Sequence, residues 1–218
     1  MKTNTRKLTI LALFAALAYS LVLFINIPIV PAPPINYDPK DVIIVIAGFL
    51  FGPLAVAGIS LVTSLIEMFT VSVTLYWGLL MNVVGTCAFA CPATVIYRRK
   101  RTIAGAVIGL VTGALFATGT MLLFNYIVTP LYMPVTREII AGMLIPVFLP
   151  FNLLKTFLNV GFTLLLYKPV RLALSQARLL PAFEEEDSRR KISLGTAAAA
   201  IFVIATCVLL ILAWRGII

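Results

Sequence analysis

Residues 150–159 read PFNLLKTFLN, within a run, 139–167, that is apolar almost throughout. Asn152, Lys155 and Asn159 follow i, i+3, i+7 spacing, so a helix places all three on one face. An amine and two carboxamides are costly in hydrocarbon. They must look into a bundle or a wet cavity, and they mark a functional site unless they serve only to tie helices together. Read this way, the segment is a membrane span with a polar face.

Of the 218 residues, 61% are hydrophobic and 11% charged, with mean hydropathy +1.08, a balance that a water-soluble globule of this size could not present to solvent. Backbone amides in lipid must be paired within their own segment, and the period-two alternation of a barrel is absent. The expected fold is an all-α membrane protein.

The formal net charge of +9 sits in short clusters between apolar runs: Lys2, Arg6 and Lys7; Arg98, Arg99, Lys100 and Arg101; Lys168, Arg171 and Arg178; Arg189, Arg190 and Lys191. None is interleaved with aromatics as a nucleic-acid surface would be, and the lipid bilayer is the expected surrounding instead. By the positive-inside rule the amino terminus is placed in the cytoplasm of a multi-pass cell-membrane protein. Six crossings then put every cluster inside, and a further helix takes the carboxyl terminus outside. Lys40, Arg137 and Arg215 fall outside, and Lys155 is the one intramembrane cation.

The predicted spans are 8–25, 42–51, 53–69, 75–97, 103–128 and 139–167, with a seventh apolar helix over 192–214. The basic and apolar start resembles a signal peptide, but no small-residue cleavage site follows, so it reads as a retained first helix. Pro28, Pro31, Pro33 and Pro34 forbid helix, and an irregular loop running through Asn36, Tyr37, Asp38 and Pro39 to Asp41 is a candidate lid. At about ten residues, 42–51 is too short for a straight span. Pro130 and Pro134 make 129–137 an irregular loop, and Pro146 and Pro150 kink the first turns of the sixth span. The expected domains are a six-helix substrate-binding unit over 1–180, a charged cytoplasmic linker over 181–191, and the additional helix within 192–218.

Without histidine, imidazole-based sites are excluded, and three cysteines make a disulfide framework improbable. Cys87 and Cys91, one turn apart, read as small core residues, and no metal site is expected. No G-x-x-x-x-G-K-[ST] loop is present, so active transport would draw its energy elsewhere, and no carboxylate pair supports an intramembrane hydrolase. The chain is not expected to be an enzyme.

Binding is the alternative. Asn82 and Asn125 from neighbouring helices can join the 152/155/159 face, and carboxamides, which both donate and accept, suit a heteroaromatic ligand with alternating carbonyl and N–H groups. Tyr37, Tyr76, Trp77, Tyr126 and Tyr132 are candidate flat walls. Asp38 of the lid and the intramembrane Glu67 complete the candidate set. The competing reading is a structural membrane protein in which the amides are interhelical glue and Glu67 neutralises Lys155. Ala12 and Ala16, in A-x-x-x-A spacing, either dock a partner helix or pack within the chain.

Over residues 6–175 the pattern resembles the S-components of energy-coupling-factor (ECF) vitamin transporters, and among them the riboflavin-specific members. The resemblance lies in the basic start with Ala12 and Ala16, the proline-rich loop ending at Asp41, AGFLFGPL at 47–54, YRRKRT at 97–102, NYIVTPLY at 125–132 and PFNLLKTFLN at 150–159. It implies a ligand near the outer surface beneath the first loop and the loop between helices five and six, held by Asn125, Asn152 and Lys155. Riboflavin would be transported cargo, with no resident cofactor. The small-residue face of helix one would dock an EcfT-type membrane coupling subunit that works with two ABC ATPase subunits, the S-component toppling in the membrane to release its cargo. Pyridoxine or a hydroxymethylpyrimidine precursor of thiamine is the alternative ligand within the same class. The seventh helix departs from the family's six.

Overall fold

The computed structural model describes residues 2–30, 35–177, 179 and 194–215. Its centre is α2 (Lys40–Phe51), in which Ile44, Val45, Ile46 and Ala47 are fully buried and no residue is exposed. A helix apolar on every side belongs inside a bundle, where it needs no length to span lipid by itself; twelve residues reach only about 18 Å. It packs against α1 (Lys2–Phe24), α3 (Pro53–Thr70), α4 (Leu75–Lys100) and α7 (Leu149–Gln176). The short second segment is therefore present and begins two residues early, at Lys40.

The most extensive helix pair is α4 with α5 (Ile103–Tyr132). It is close because of glycine. A Cβ at Gly109 would stand 2.7 Å from the Ala93 carbonyl oxygen, and one at Gly113 would collide with that of Phe89. Between these helices Arg101 takes a left-handed conformation, and the Thr102 hydroxyl accepts from the Gly105 amide at 3.0 Å as an N-cap.

Several details differ from the sequence reading, among them the end of α7, which runs nine residues past 167 to Gln176. The first loop carries a two-stranded antiparallel ribbon, β1 (Ile27–Val30) with β2 (Ile35–Tyr37), where irregular chain was expected; its prolines exclude helix but leave extended pairing open. Pro31, Pro33, Pro34 and the 181–191 linker lie outside the described residues. Helix α5 continues through Pro130 to Tyr132 instead of stopping at Val128, because a proline in the last turn removes only one hydrogen bond beside the helix end. The helix α1 starts at Lys2, six residues before the apolar run. The kink expected in the sixth span is a π-helical turn, Leu144–Phe148, between α6 (Arg137–Met143) and α7, with Pro146 inside it and Pro150 just after.

The last element, α8 (Leu194–Trp214), packs chiefly on α7, where a Cβ at Gly161 would come within 2.6 Å of the Ile204 side chain. Among the described residues, six helical stretches are long and apolar enough to cross a membrane: Thr5–Phe24, Pro53–Thr70, Leu75–Lys100, Ile103–Tyr132, Arg137–Gln176 and Gly195–Trp214. The buried α2 is not one of them.

Candidate functional site

A cavity of about 350 Å³ opens at the end of the bundle that holds the β1–β2 ribbon, the α3–α4 turn and the α5–α6 connection, opposite the basic Arg98–Arg101 turn. The volume falls within the ~300–1,000 Å³ typical of small-molecule sites. Apolar walls come from Phe89, Met121, Phe148 and Phe151, and polar groups converge from five helices and from the ribbon.

Seven of the nine candidate contact residues line this cavity: Asp38, Glu67, Asn82, Asn125, Tyr132, Asn152 and Lys155. On α7, Asn152 gives one N–H to the Phe148 carbonyl at 2.7 Å, and on α5 Asn125 gives one to Met121 at 2.8 Å and accepts from Thr129 at 3.3 Å. Each amide keeps a second N–H for another partner. Lys155 donates to Asp38 Oδ2 at 3.2 Å, tying α7 to the chain just after β2. Burial alone would raise the Asp38 carboxyl above its usual range, but the Lys155 and Lys40 ammonium groups hold it below and keep it ionised.

The other two candidates stand behind the wall. Tyr37 donates its phenol O–H to Asn159 Oδ1 at 2.9 Å, and Asn159 donates to Asp41 Oδ2 at 3.4 Å; both side chains are buried and neither borders the cavity. The i, i+3, i+7 spacing put Asn159 on the correct face of α7, but one helical turn too deep. Of the other aromatics proposed as walls, Tyr76 and Tyr126 are exposed on the bundle's outside, and Trp77 does not line the cavity either.

Two charged residues of the site, Lys40 and Asp41, were read as part of an outer loop. Lys40 is only 2% exposed and borders the cavity. Its ammonium donates to both Glu67 oxygens, at 2.8 and 2.6 Å, and Asn82 donates to the same carboxylate at 2.9 Å. The partner of Glu67 is thus Lys40, and the Glu67–Lys155 pair of the competing reading does not form. Asp41 accepts from Thr86 at 2.6 Å as well as from Asn159. A signal for both was present: a helix buried on all sides starts inside the protein, so charges in its first turn are buried with it. Glu67 likewise belongs to a buried i, i+3, i+4, i+7 row with Ser60, Thr63 and Ser64 on α3.

Midway along α1, Ala12 and Ala16 are both exposed, whereas Ala15 and Ala18 face the core. The A-x-x-x-A pair is therefore not consumed by packing within the described residues.

The arrangement has counterparts. Residues 6–167 match the family model described as ECF transporter, substrate-specific component. A protein named riboflavin transporter RibU from Streptococcus thermophilus is 29% identical over 180 residues, covering 78% of this chain and 84% of that one. Another of that name from Staphylococcus aureus is 31% identical over 176 residues, covering 77% and 91%. A solved structure reported as the S component of a bacterial ECF transporter superposes with a TM-score of 0.67 at 29% identity, covering 78% of this chain and 98% of the other. The family match stops before α8. With three quarters of its length matched and a cavity assembled from the same span, the chain belongs to the substrate-specific components of ECF transporters.

Proposed function

We propose that this protein captures riboflavin in the cavity beneath the β1–β2 ribbon and hands it to an energising module for ATP-driven import. The observation that carries this reading is the convergence of Asn125, Asn152 and Lys155 on one cavity with aromatic and thioether walls. A flat heteroaromatic ring fits between Phe89, Phe148, Phe151 and Met121, and its polar edge finds amide and ammonium donors. The names of the two relatives support the same ligand over pyridoxine or a thiamine precursor.

The basic Arg98–Arg101 turn lies at the end away from the cavity, and the positive-inside rule puts that end in the cytoplasm. The cavity then faces outward, the amino terminus inward, and α8 carries the carboxyl terminus to the outside. The chain contains no nucleotide-binding loop, so energy comes from partner subunits, a membrane coupling protein with two ATPases. The exposed Ala12 and Ala16 are the proposed docking face, because small residues let a second helix approach closely. The chain works as a binding subunit and carries out no reaction itself.

Titration of the purified protein with riboflavin, followed by flavin fluorescence, tests the assignment. Quenching that saturates at or below micromolar ligand is expected, and its absence at those concentrations would overturn it.

A further inference from the structure

Among the described residues, Asp38 Oδ1 is the one buried side-chain polar atom lining the cavity that makes no hydrogen bond. Its sister oxygen is taken by Lys155 at 3.2 Å. The Lys40 ammonium stands 3.9 Å from Oδ1, close enough for charge balance but too far for a hydrogen bond, because it is turned onto the two oxygens of Glu67. A buried, ionised oxygen left without a donor is costly, and a ligand donor would remove that cost.

The neighbours define what that donor is. On one carboxylate, an unfilled acceptor sits beside an ammonium that still has N–H groups to give, with the second N–H of Asn152 on the same cavity. Two donors and an acceptor lining one cavity are what an imide edge needs, in which an N–H lies between two carbonyls. The pyrimidine side of the isoalloxazine ring has that edge, with N3–H between the carbonyls at C2 and C4. Resting on the riboflavin reading above, we propose that Asp38 is the residue that selects for the imide, its Oδ1 accepting the ring N3–H while Lys155 and Asn152 serve the flanking carbonyls. The ribbon would then be fastened to the ligand as well as to α7, through a single carboxylate.

The test compares two ligands and two proteins, by flavin fluorescence titration with riboflavin and with riboflavin methylated at N3. In the wild type, methylation is expected to weaken binding by about tenfold or more, the usual size of a lost hydrogen bond to a charged group. In Asp38→Ala, riboflavin itself binds more weakly and the methyl penalty falls to within about threefold, since the acceptor it blocked has gone. Asp38→Asn, which preserves the shape of the loop, carries the same test if the alanine variant fails to fold; replacing a charged acceptor by a neutral one should shrink the penalty in the same direction. An equal penalty in wild type and both variants, or none in the wild type, would overturn the assignment while leaving the vitamin reading intact. No quenching by riboflavin in the wild type would instead defeat that reading, and this inference with it.

Discussion

The Lys40 ammonium holds both oxygens of Glu67, at 2.8 and 2.6 Å, with each side chain no more than 6% exposed. The pair joins the first turn of α2 to the last turns of α3, and Asn82 adds α4. Removing one partner strands a buried charge, a loss of about 3–5 kcal/mol, whereas removing both leaves no stranded member of the pair, only a packing change and the smaller loss of contacts with Asn82 and Asp38. Lys40→Met is therefore expected to lower the melting temperature in detergent sharply, and Lys40→Met with Glu67→Met to recover most of the loss. A double variant as unstable as the single one would show that the pair is not the cause.

Lys155 is placed differently. Its side chain is 19% exposed, and among the described residues its ion pair is with Asp38. Lys155→Met should weaken riboflavin binding by roughly 10- to 150-fold, the worth of a hydrogen bond from a charged donor, with a much smaller effect on melting than Lys40→Met. Equal damage to fold and binding would favour the interhelical-glue reading.

Asn159 and Tyr37 form a relay behind the wall that ends on Asp41. Replacing Asn159 by Ala leaves a buried phenol and a carboxylate oxygen short of partners, costing about 1–3 kcal/mol of stability. Folded protein should keep its affinity for riboflavin to within about threefold, because neither side chain reaches the cavity. Calorimetry and fluorescence titration on the same sample separate the two effects.

The sequence reading found the helices because lipid imposes long apolar runs, and it found the α7 face because polar residues at helical spacing stand out against such a background. Asn152 and Lys155 were legible for that reason. Lys40 was missed: it follows Pro39 in a polar stretch, and the signal for its burial lies in the apolar helix that follows and not in its own neighbours, which look the same for a solvated lysine as for one capped by a carboxylate 27 residues away. The ribbon was missed because its pairing joins residues on either side of four that include three prolines, so the local signal was for a break and the extended partner lay beyond it. Depth along α7 was the other failure, since a spacing rule fixes the face of a helix but not how far down it the cavity reaches.

The outward face of α1 is where a partner would be felt without touching the ligand. Ala16 is exposed at the opposite side of α1 from the core residues Phe14 and Ala18. Ala16→Trp should leave riboflavin titration unchanged and abolish co-purification with the energising module, along with uptake in cells, because a bulky residue prevents close helix approach. Unaltered uptake would move the docking surface elsewhere.

Helix α8 lies outside the matched family residues, yet its buried Cys207 belongs to the same apolar cluster as Ile29 and Tyr37 of the ribbon and Phe151, Leu154 and Leu158 of α7. It therefore backs the ribbon from the side away from the cavity, next to the residue that precedes Asp38. A chain ending before Leu194 keeps every cavity-lining residue but loses that support, since α8 contributes nothing to the cavity itself. If the ribbon is held partly by this packing, truncation should loosen it by roughly 1 kcal/mol, seen as a faster release of riboflavin and an affinity about fivefold lower. Stopped-flow displacement measures the release directly. Identical release rates for the full and shortened chains would show that the packing of α8 on α7 does not support the ribbon.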